Sequence, residues 1–133
     1  MHDFVCCENN LSLEAAKALA GMLVKTSSLI KLNLRGNDIS DAGLHAICLS
    51  LSYNRSLESL NVSRNNIYLE SAFFRQENNS FTAMISDNDC LTDLNLSDNQ
   101  ISVNGARILA RGMEINQTMK KLSLERNQCS DDG

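Results

Sequence analysis

The sequence predicts an α/β solenoid, in which short parallel strands form one side and helices form the other. Three observations support this prediction. A phrase of Leu and Asn residues recurs at a near-constant step, apolar residues alternate with period two inside the phrase, and apolar residues at helical spacing follow it. The 133 residues suit one compact unit.

The recurring phrase is clearest in Leu29-x-x-Leu32-x-Leu34-x-x-Asn37-x-Ile39, and copies begin again at Leu57 and Leu91. A further copy begins at Met119, and a degraded one begins at Met1. The Asn of the phrase is Asn9, Asn37, Asn65, Asn99 and Asn127, with separations of 28, 28, 34 and 28 residues. A step of this kind is typical of a stacked-repeat architecture.

Within one repeat, the segment Leu32-x-Leu34 alternates as a strand with one buried face does. The Asn follows where the backbone turns, and its short amide can bond backbone groups that lack a ladder partner. Stacked once per repeat, the five Asn residues predict an internal polar ladder.

A helix is predicted after each Asn. Its apolar residues follow i, i+3, i+4, i+7 spacing in three sets: Ala16, Leu19, Ala20 and Leu23; Leu44, Ile47, Cys48 and Leu51; Ala106, Leu109, Ala110 and Met113. A Ser precedes each helical stretch as a candidate N-cap: Ser12, Ser40, Ser102 and Ser130. Because helices are wider than the spacing between strands, the stack must bend with its strands on the concave side.

The phrase resembles the leucine-rich repeats of the ribonuclease-inhibitor-like class. Gly43, Gly105 and Gly133 fall six residues after their Asn, as that class pattern expects. The resemblance implies a right-handed α/β horseshoe whose inner surface or rim grips a protein partner. It covers nearly the whole chain and is specific for the fold, but poor for function.

We expect a single domain over residues 1–133, with repeats at 1–28, 29–56, 57–90, 91–118 and a truncated 119–133. The third repeat carries six extra residues, because its Asn-to-Asn step is 34 instead of 28. They align near Phe73-Phe74-Arg75-Gln76-Glu77-Asn78, before a helix predicted around Ser80 to Ser86. One interpretation is a loop that docks a partner through Phe73, Phe74 and Arg75. The other is a tolerated insertion whose Phe residues fill local gaps.

Removing the buried positions leaves a predicted partner-binding surface on the concave side. Its candidate residues are Lys31, Asn33, Arg35, Ser59, Asn61, Ser63, Arg64, Asp93, Asn95, Asp98, Lys121, Glu125 and Arg126. A rigid sheet would hold them in fixed registry. Their mixed charge favours a protein with complementary patches over a polyanion.

Composition excludes several classes of function. The net charge is −4 and aromatic residues make up 5%, which disfavours nucleic acid as a partner. No apolar run is long enough to span a membrane. The five Cys are odd in number and irregularly spaced, so we interpret them as reduced thiols of a cytoplasmic protein. Cys6, Cys48 and Cys129 take predicted core positions, whereas Cys7 and Cys90 could be exposed. We expect no metal, no cofactor and no catalytic residues, since no nucleotide-binding or nucleophile motif occurs.

The sequence therefore predicts a protein-interaction scaffold, not an enzyme. The phrase starts and stops abruptly, from which we expect a fragment or a subunit of a larger assembly, such as a cytoskeletal or ciliary one, with possible end-on packing against further repeats. Two alternatives stay open. The chain could regulate an enzyme, as ribonuclease inhibitor or a GTPase activator does, or it could belong to an innate-immune receptor.

Overall fold

The structure is a computed structural model that describes residues 2–76 and 79–128. Five short strands form one parallel sheet in chain order: β1 (Asp3–Val5), β2 (Lys31–Asn33), β3 (Ser59–Asn61), β4 (Asp93–Asn95) and β5 (Lys121–Ser123). Four helices alternate with them: α1 (Leu13–Lys25), α2 (Ser40–Leu51), α3 (Ser80–Asp87) and α4 (Val103–Met113). The predicted α/β class, with parallel strands in one sheet and helices between them, is confirmed.

Strand register follows the repeated phrase. Phe4, Leu32, Leu60, Leu94 and Leu122 are paired in one row across the sheet. Parallel strands place equivalent residues side by side, so a Leu at the same position of each phrase gives one continuous apolar row. Leu32, Leu60 and Leu94 are at most 1% exposed. Burial of one such side chain stabilises the fold by about 1.5–3 kcal/mol.

The core lies between the sheet and the helices. Leu29, Leu57 and Leu91 precede the strands, and Ile39, Ile67 and Ile101 follow the turns; all six are buried. Helix α2 contributes Leu44, Ile47, Cys48 and Leu51, as predicted. In α4 the prediction is wrong for Ala110, which is exposed, while Gly105 and Gly112 are buried. Helices α3 and α4 pack closely at Gly112, where a Cβ would lie only 2.7 Å from the Ile85 side chain of α3.

Helix capping follows the sequence only in part. The hydroxyl of Ser12 accepts the N–H of Ala15 at 3.2 Å, which confirms it as a cap. Ser40 starts α2 with a φ of +64° and makes no capping bond, because the left-handed backbone there replaces the usual extended cap geometry. Ser102 occupies the cap position of α4 but donates its hydroxyl to the Glu70 carboxylate instead.

The third repeat differs from the others in its strand-to-helix connection. Residues 68–76, which we call the insertion loop, contain a single-turn 3₁₀ helix, Ala72–Phe74. Helix α3 begins at the predicted residue, Ser80, because the Asn79 side chain accepts the N–H of Thr82 at 2.8 Å and caps it. Asn79 is buried, as its capping role requires.

Several sequence expectations lie outside the described residues. They concern Met1 in the first phrase, Glu77 and Asn78 in the insertion, and Cys129, Ser130 and Gly133 in the last repeat. Of the cysteines in the described part, Cys6, Cys7, Cys48 and Cys90 are free thiols. Burial raises the pKa of Cys48, which lies wholly in the core.

Candidate protein-interaction surface

The predicted Asn ladder joins successive repeats through side-chain amides. The carbonyl oxygen of Asn65 accepts the backbone N–H of Asn37 at 3.1 Å and of Ile39 at 3.2 Å. Its amide nitrogen donates to the carbonyl of Leu34 in the previous repeat and of Ser63 in its own, both at 2.9 Å. Each buried Asn of the ladder thus bonds at least four backbone groups around the turn.

The other ladder residues repeat this pattern. The Asn37 carbonyl oxygen accepts the N–H of Asn9 at 2.9 Å, and that of Asn99 accepts the N–H of Asn65 at 2.8 Å. Asn127 accepts the N–H of Ile101 at 3.0 Å. Asn9, in the first repeat, is exposed, and its side-chain amide donates to the Cys6 sulfur at 3.5 Å. The ladder fixes the distance between successive repeats. It thereby fixes the positions of the strand residues that face away from the core.

We call the outward side of the strands and of the turns after them the strand face. Its centre is a row formed by Asn33, Asn61, Asn95 and Ser123, which pair in register. Each Asn carbonyl oxygen accepts the backbone N–H two residues later: Arg35 at 3.1 Å, Ser63 at 2.9 Å and Ser97 at 2.9 Å. These bonds hold the three side chains in one orientation.

Asn33, Asn61 and Asn95 are half-buried, and within residues 2–76 and 79–128 their amide nitrogens have no hydrogen-bond acceptor. Neighbouring parallel strands lie about 4.8 Å apart. The strand face therefore presents three N–H₂ donors at even spacing, backed by a rigid sheet.

Most charged residues of the strand face pair with each other across repeats. Asp98 lies between two arginines: Arg35 is 3.5 Å away, and Arg126 binds the carboxylate through two nitrogens, one of them at 3.0 Å. The Arg126 guanidinium, followed by Arg35, lowers the pKa of Asp98.

Two further contacts join charged side chains of the strand face to neighbouring repeats: Arg64 lies 3.4 Å from Glu8, and Ser97 donates to Glu125 at 2.7 Å. Arg35, Arg64, Asp98 and Arg126 line a shallow hollow of about 470 Å³.

Other predicted residues at the strand starts remain available. Lys31 and Lys121 are exposed, and neither forms an ion pair within the described part of the chain. Ser59 and Asp93 lie between them in the register and are half-buried. They form a second polar row beside the Asn row.

Two predicted site residues are not available to a partner, and we correct both. Ser63 is fully buried, because its hydroxyl donates to Asn61 at 2.6 Å and lies beneath the Arg35 guanidinium, 2.9 Å away. Phe74 is also fully buried and packs edge-on against Phe81 of α3, so it fills the core instead of docking a partner. Phe73 is 44% exposed and stacks on His45, and Arg75 is exposed.

A second set of Asn residues was missed from the sequence. Asn54 and Asn88 are buried after helices α2 and α3, and their amides donate to the helical carbonyls of Leu23 at 2.8 Å and Leu51 at 3.0 Å in the previous repeat. Asn116 does the same to Ile85 at 2.6 Å. A signal was present, since each lies three residues before the apolar residue that opens a phrase: Leu57, Leu91 and Met119.

Comparison with known proteins agrees with this geometry. The family described as "Leucine Rich repeat" matches residues 26–48, 53–71 and 87–110. The chain is a leucine-rich-repeat protein. The repeats that match include three strands of the strand face and the first part of the insertion loop.

The leucine-rich-repeat chain has curated relatives of moderate similarity. It is 27% identical over 124 residues to "Capping protein, Arp2/3 and myosin-I linker protein 3" of Homo sapiens, covering 90% of this chain and 8% of that protein. It is 28% identical over 103 residues to "NACHT, LRR and PYD domains-containing protein 12" of Mus musculus, covering 77% of this chain and 9% of that protein. The chain thus spans less than a tenth of each relative's length.

Solved structures share the leucine-rich-repeat fold of this chain. The structure titled "Leiomodin-1 Actin-Binding Site 2 (ABS2)" superposes with a TM-score of 0.81 at 19% identity, covering 93% of this chain and 70% of that one. The tropomodulin C-terminal domain, from structural genomics of Caenorhabditis elegans, gives a TM-score of 0.74 at 15% identity, covering 93% and 73%. These likenesses establish the fold.

In the part of the chain that the structure describes, no helix has the length and apolar character that crossing a membrane requires. No group of three or more His, Cys, Asp or Glu side chains in residues 2–76 and 79–128 is arranged to hold a metal ion.

Proposed function

We propose that this chain is a non-enzymatic protein-interaction module of the actin cytoskeleton, and that its strand face holds the partner. The observation that carries this proposal is the row of Asn33, Asn61 and Asn95. Each amide is fixed by its own carbonyl oxygen, and each keeps its N–H₂ group without an acceptor in the described part of the chain. In this role the chain acts in the cytoplasm.

The chemistry of the row defines what it can bind. Three donors on adjacent strands match acceptors repeated along an extended partner segment, such as backbone carbonyls or carboxylates. Lys31 and Lys121, exposed on the neighbouring row, add two positive charges. Because the sheet is rigid and the amides are already oriented, little side-chain entropy is lost on binding.

The relatives supply the first partner to test. One structural neighbour is titled an actin-binding site of leiomodin-1, and the human relative is named a linker of capping protein, Arp2/3 and myosin-I. These names describe those proteins. They support actin as the first candidate for a chain with the same fold, ahead of the enzyme-regulator and immune-receptor alternatives.

Co-sedimentation with actin filaments and pull-down of actin monomers test the proposal. The informative variant combines Asn61→Asp with Arg64→Glu. Aspartate keeps the oxygen that accepts the Ser63 N–H but removes the donor group, so the fold is retained while the surface changes. We expect at least about a tenfold loss of actin affinity, the equivalent of about 1.4 kcal/mol.

The matched control is Lys17→Glu with Gln117→Glu, which makes the same change in net charge at exposed positions away from the strand face. It should bind actin like the wild type. Equal binding by both double variants would overturn the strand-face assignment. No binding of the wild type to filaments or monomers would overturn the actin assignment.

A further inference from the structure

A hollow of about 390 Å³ lies on the helical side of the chain, between the insertion loop and α4. The loop contributes Glu70 and Arg75 to its wall. Helix α4 contributes Asn104, Arg107, Ile108 and Arg111, which follow i, i+3, i+4, i+7 spacing and therefore form one stripe. This hollow is separate from the strand face.

The hollow exists because helix α3 begins at a later position in its repeat than helix α4 does in the next. Asn88 and Asn116 are equivalent residues, 28 positions apart. By the same offset, Ser80, the first residue of α3, corresponds to Ile108 of α4, five residues after α4 begins at Val103. The first part of α4 therefore has no counterpart in α3 to pack against. The insertion loop lies there instead, and it leaves the space between itself and the Arg107–Arg111 stripe.

The described lining of the hollow carries a net positive charge. Within the residues that the structure describes, Arg75 donates only to the backbone carbonyl of Glu70, at 3.3 Å, and Arg107 only to the Asn104 side chain, at 3.4 Å. Across residues 2–76 and 79–128, Arg75, Arg107 and Arg111 have no carboxylate partner. The strand-face arginines, by contrast, all have one. Three such arginines are grouped in a chain whose net charge is −4.

Among the described residues of the lining, Glu70 is the one acidic group, and it offsets one of the three arginine charges. The Glu70 carboxylate accepts the hydroxyl of Ser102, the residue before α4. Between the charged groups the lining is apolar: Ile108 is half-exposed, and Leu69 and Phe74 lie behind it. The hollow thus combines an apolar floor with a rim of guanidinium groups.

We propose that this hollow binds an acidic peptide segment of a protein partner, at a second surface independent of the strand face. An apolar side chain of the segment rests on Ile108, and flanking Glu or Asp carboxylates pair with Arg75, Arg107 and Arg111. Guanidinium groups bind carboxylates through two parallel hydrogen bonds, which suits exposed acidic side chains. An apolar floor gives a free phosphate nothing to contact, so the arrangement favours a peptide.

Fluorescence anisotropy with three labelled peptides of equal length tests this proposal. All three carry the same Leu and Ser positions, and the remaining positions are Glu, Gln or Lys. We expect the Glu peptide to bind saturably at about 0.15 M salt, where the Debye length is about 8 Å, and more tightly than the Gln peptide, with no binding of the Lys peptide. The variant Arg107→Glu with Arg111→Glu should weaken the Glu peptide at least about tenfold, as should the milder Arg107→Gln with Arg111→Gln.

The matched control is Lys31→Glu with Arg64→Glu, which makes the same charge change on the strand face. It should leave Glu-peptide binding within about twofold of wild type, because surface charges beyond a Debye length are screened. Equal affinity for the Glu and Gln peptides, or an equal loss in both Glu double variants, would overturn the proposal. Displacement of the Glu peptide by inorganic phosphate at the peptide's own concentration would also overturn it, in favour of a simple anion site.

Discussion

The carboxylate of Asp41 accepts the backbone N–H of Leu69 at 3.0 Å, and this bond anchors the insertion loop to the start of α2. The same carboxylate accepts three further backbone N–H groups: Tyr68 at 2.8 Å, Glu70 at 3.2 Å and Ser71 at 3.1 Å. Leu69 has a φ of +56°, which turns consecutive N–H groups towards one point. Asp41 is 8% exposed, so the insertion loop is built around a nearly buried carboxyl group.

Replacement of Asp41 should destabilise the fold more than its position in a helix suggests. Asp41→Ala removes the acceptor of four N–H groups, and we expect the free energy of unfolding to fall by about 3 kcal/mol. Urea denaturation followed by circular dichroism measures this. The control is Asp38→Ala, at an exposed side chain that bonds only Asn66, where we expect a loss of about 0.5 kcal/mol. Equal losses in the two variants would show that the loop does not depend on Asp41.

Two helical glycines should respond in opposite directions to alanine. A Cβ at Gly112 would lie 2.7 Å from Ile85, whereas a Cβ at Gly21 would meet nothing within 4 Å. Gly112→Ala should therefore lower the free energy of unfolding by about 1–3 kcal/mol through overpacking of α3 against α4. Gly21→Ala should raise it by about 0.5–1 kcal/mol, because alanine restricts the unfolded chain and favours the helix. Thermal denaturation of both variants measures the difference, and a gain in stability for Gly112→Ala would contradict the packing described.

The Asn ladder should contribute strongly to stability at its centre. Asn65→Ala leaves four buried backbone groups without partners, and we expect a loss of about 3 kcal/mol or more in the free energy of unfolding. Asn104→Ala, at an exposed helical residue, should change it by less than about 0.5 kcal/mol. The same urea measurements apply. If Asn65→Ala were as mild as the control, the ladder would be a consequence of the fold and not one of its supports.

The repeated elements were accessible to sequence reasoning because their determinants are local and periodic. The positions of Leu32, Leu60 and Leu94 predict the strands, and the register follows since equivalent residues must stack. The insertion obeys no such period. Nothing in the adjacent pair Phe73 and Phe74 indicates which ring is buried, because a 3₁₀ turn replaces the alternation of a strand.

The location of the candidate site on the strands was predictable from the sequence, but the contacts among its side chains were not. The positions of Asn33, Asn61 and Asn95 on the strand face follow from the phrase. That Arg35, Asp98 and Arg126 pair with each other depends on rotamers across repeats, which the pattern does not contain. Asp41 escaped notice because the N–H groups that it accepts lie 27 to 30 residues further along the chain.

Asp98 should titrate below the usual range of an aspartate. The Arg126 guanidinium, with Arg35 behind it, lowers the pKa of Asp98 in the folded chain. A depressed pKa means that the ionised form stabilises the fold above the unfolded pKa, and that this contribution is lost as pH falls through the folded pKa. NMR titration of the Asp98 carboxyl carbon measures the shift directly. Arg126→Ala should move its pKa back towards the ordinary value, and an unchanged pKa in that variant would contradict the pairing.

The assignment of the partner to the strand face is tested most directly by the side-chain amide signals of Asn33, Asn61 and Asn95 in a ¹⁵N NMR titration with monomeric actin. We expect these three signals to shift or lose intensity at substoichiometric actin, while the signal of the exposed Gln117 side chain, which lies in neither proposed binding surface, does not change. Perturbation of Gln117 with the three strand-face amides unaffected would contradict the assignment.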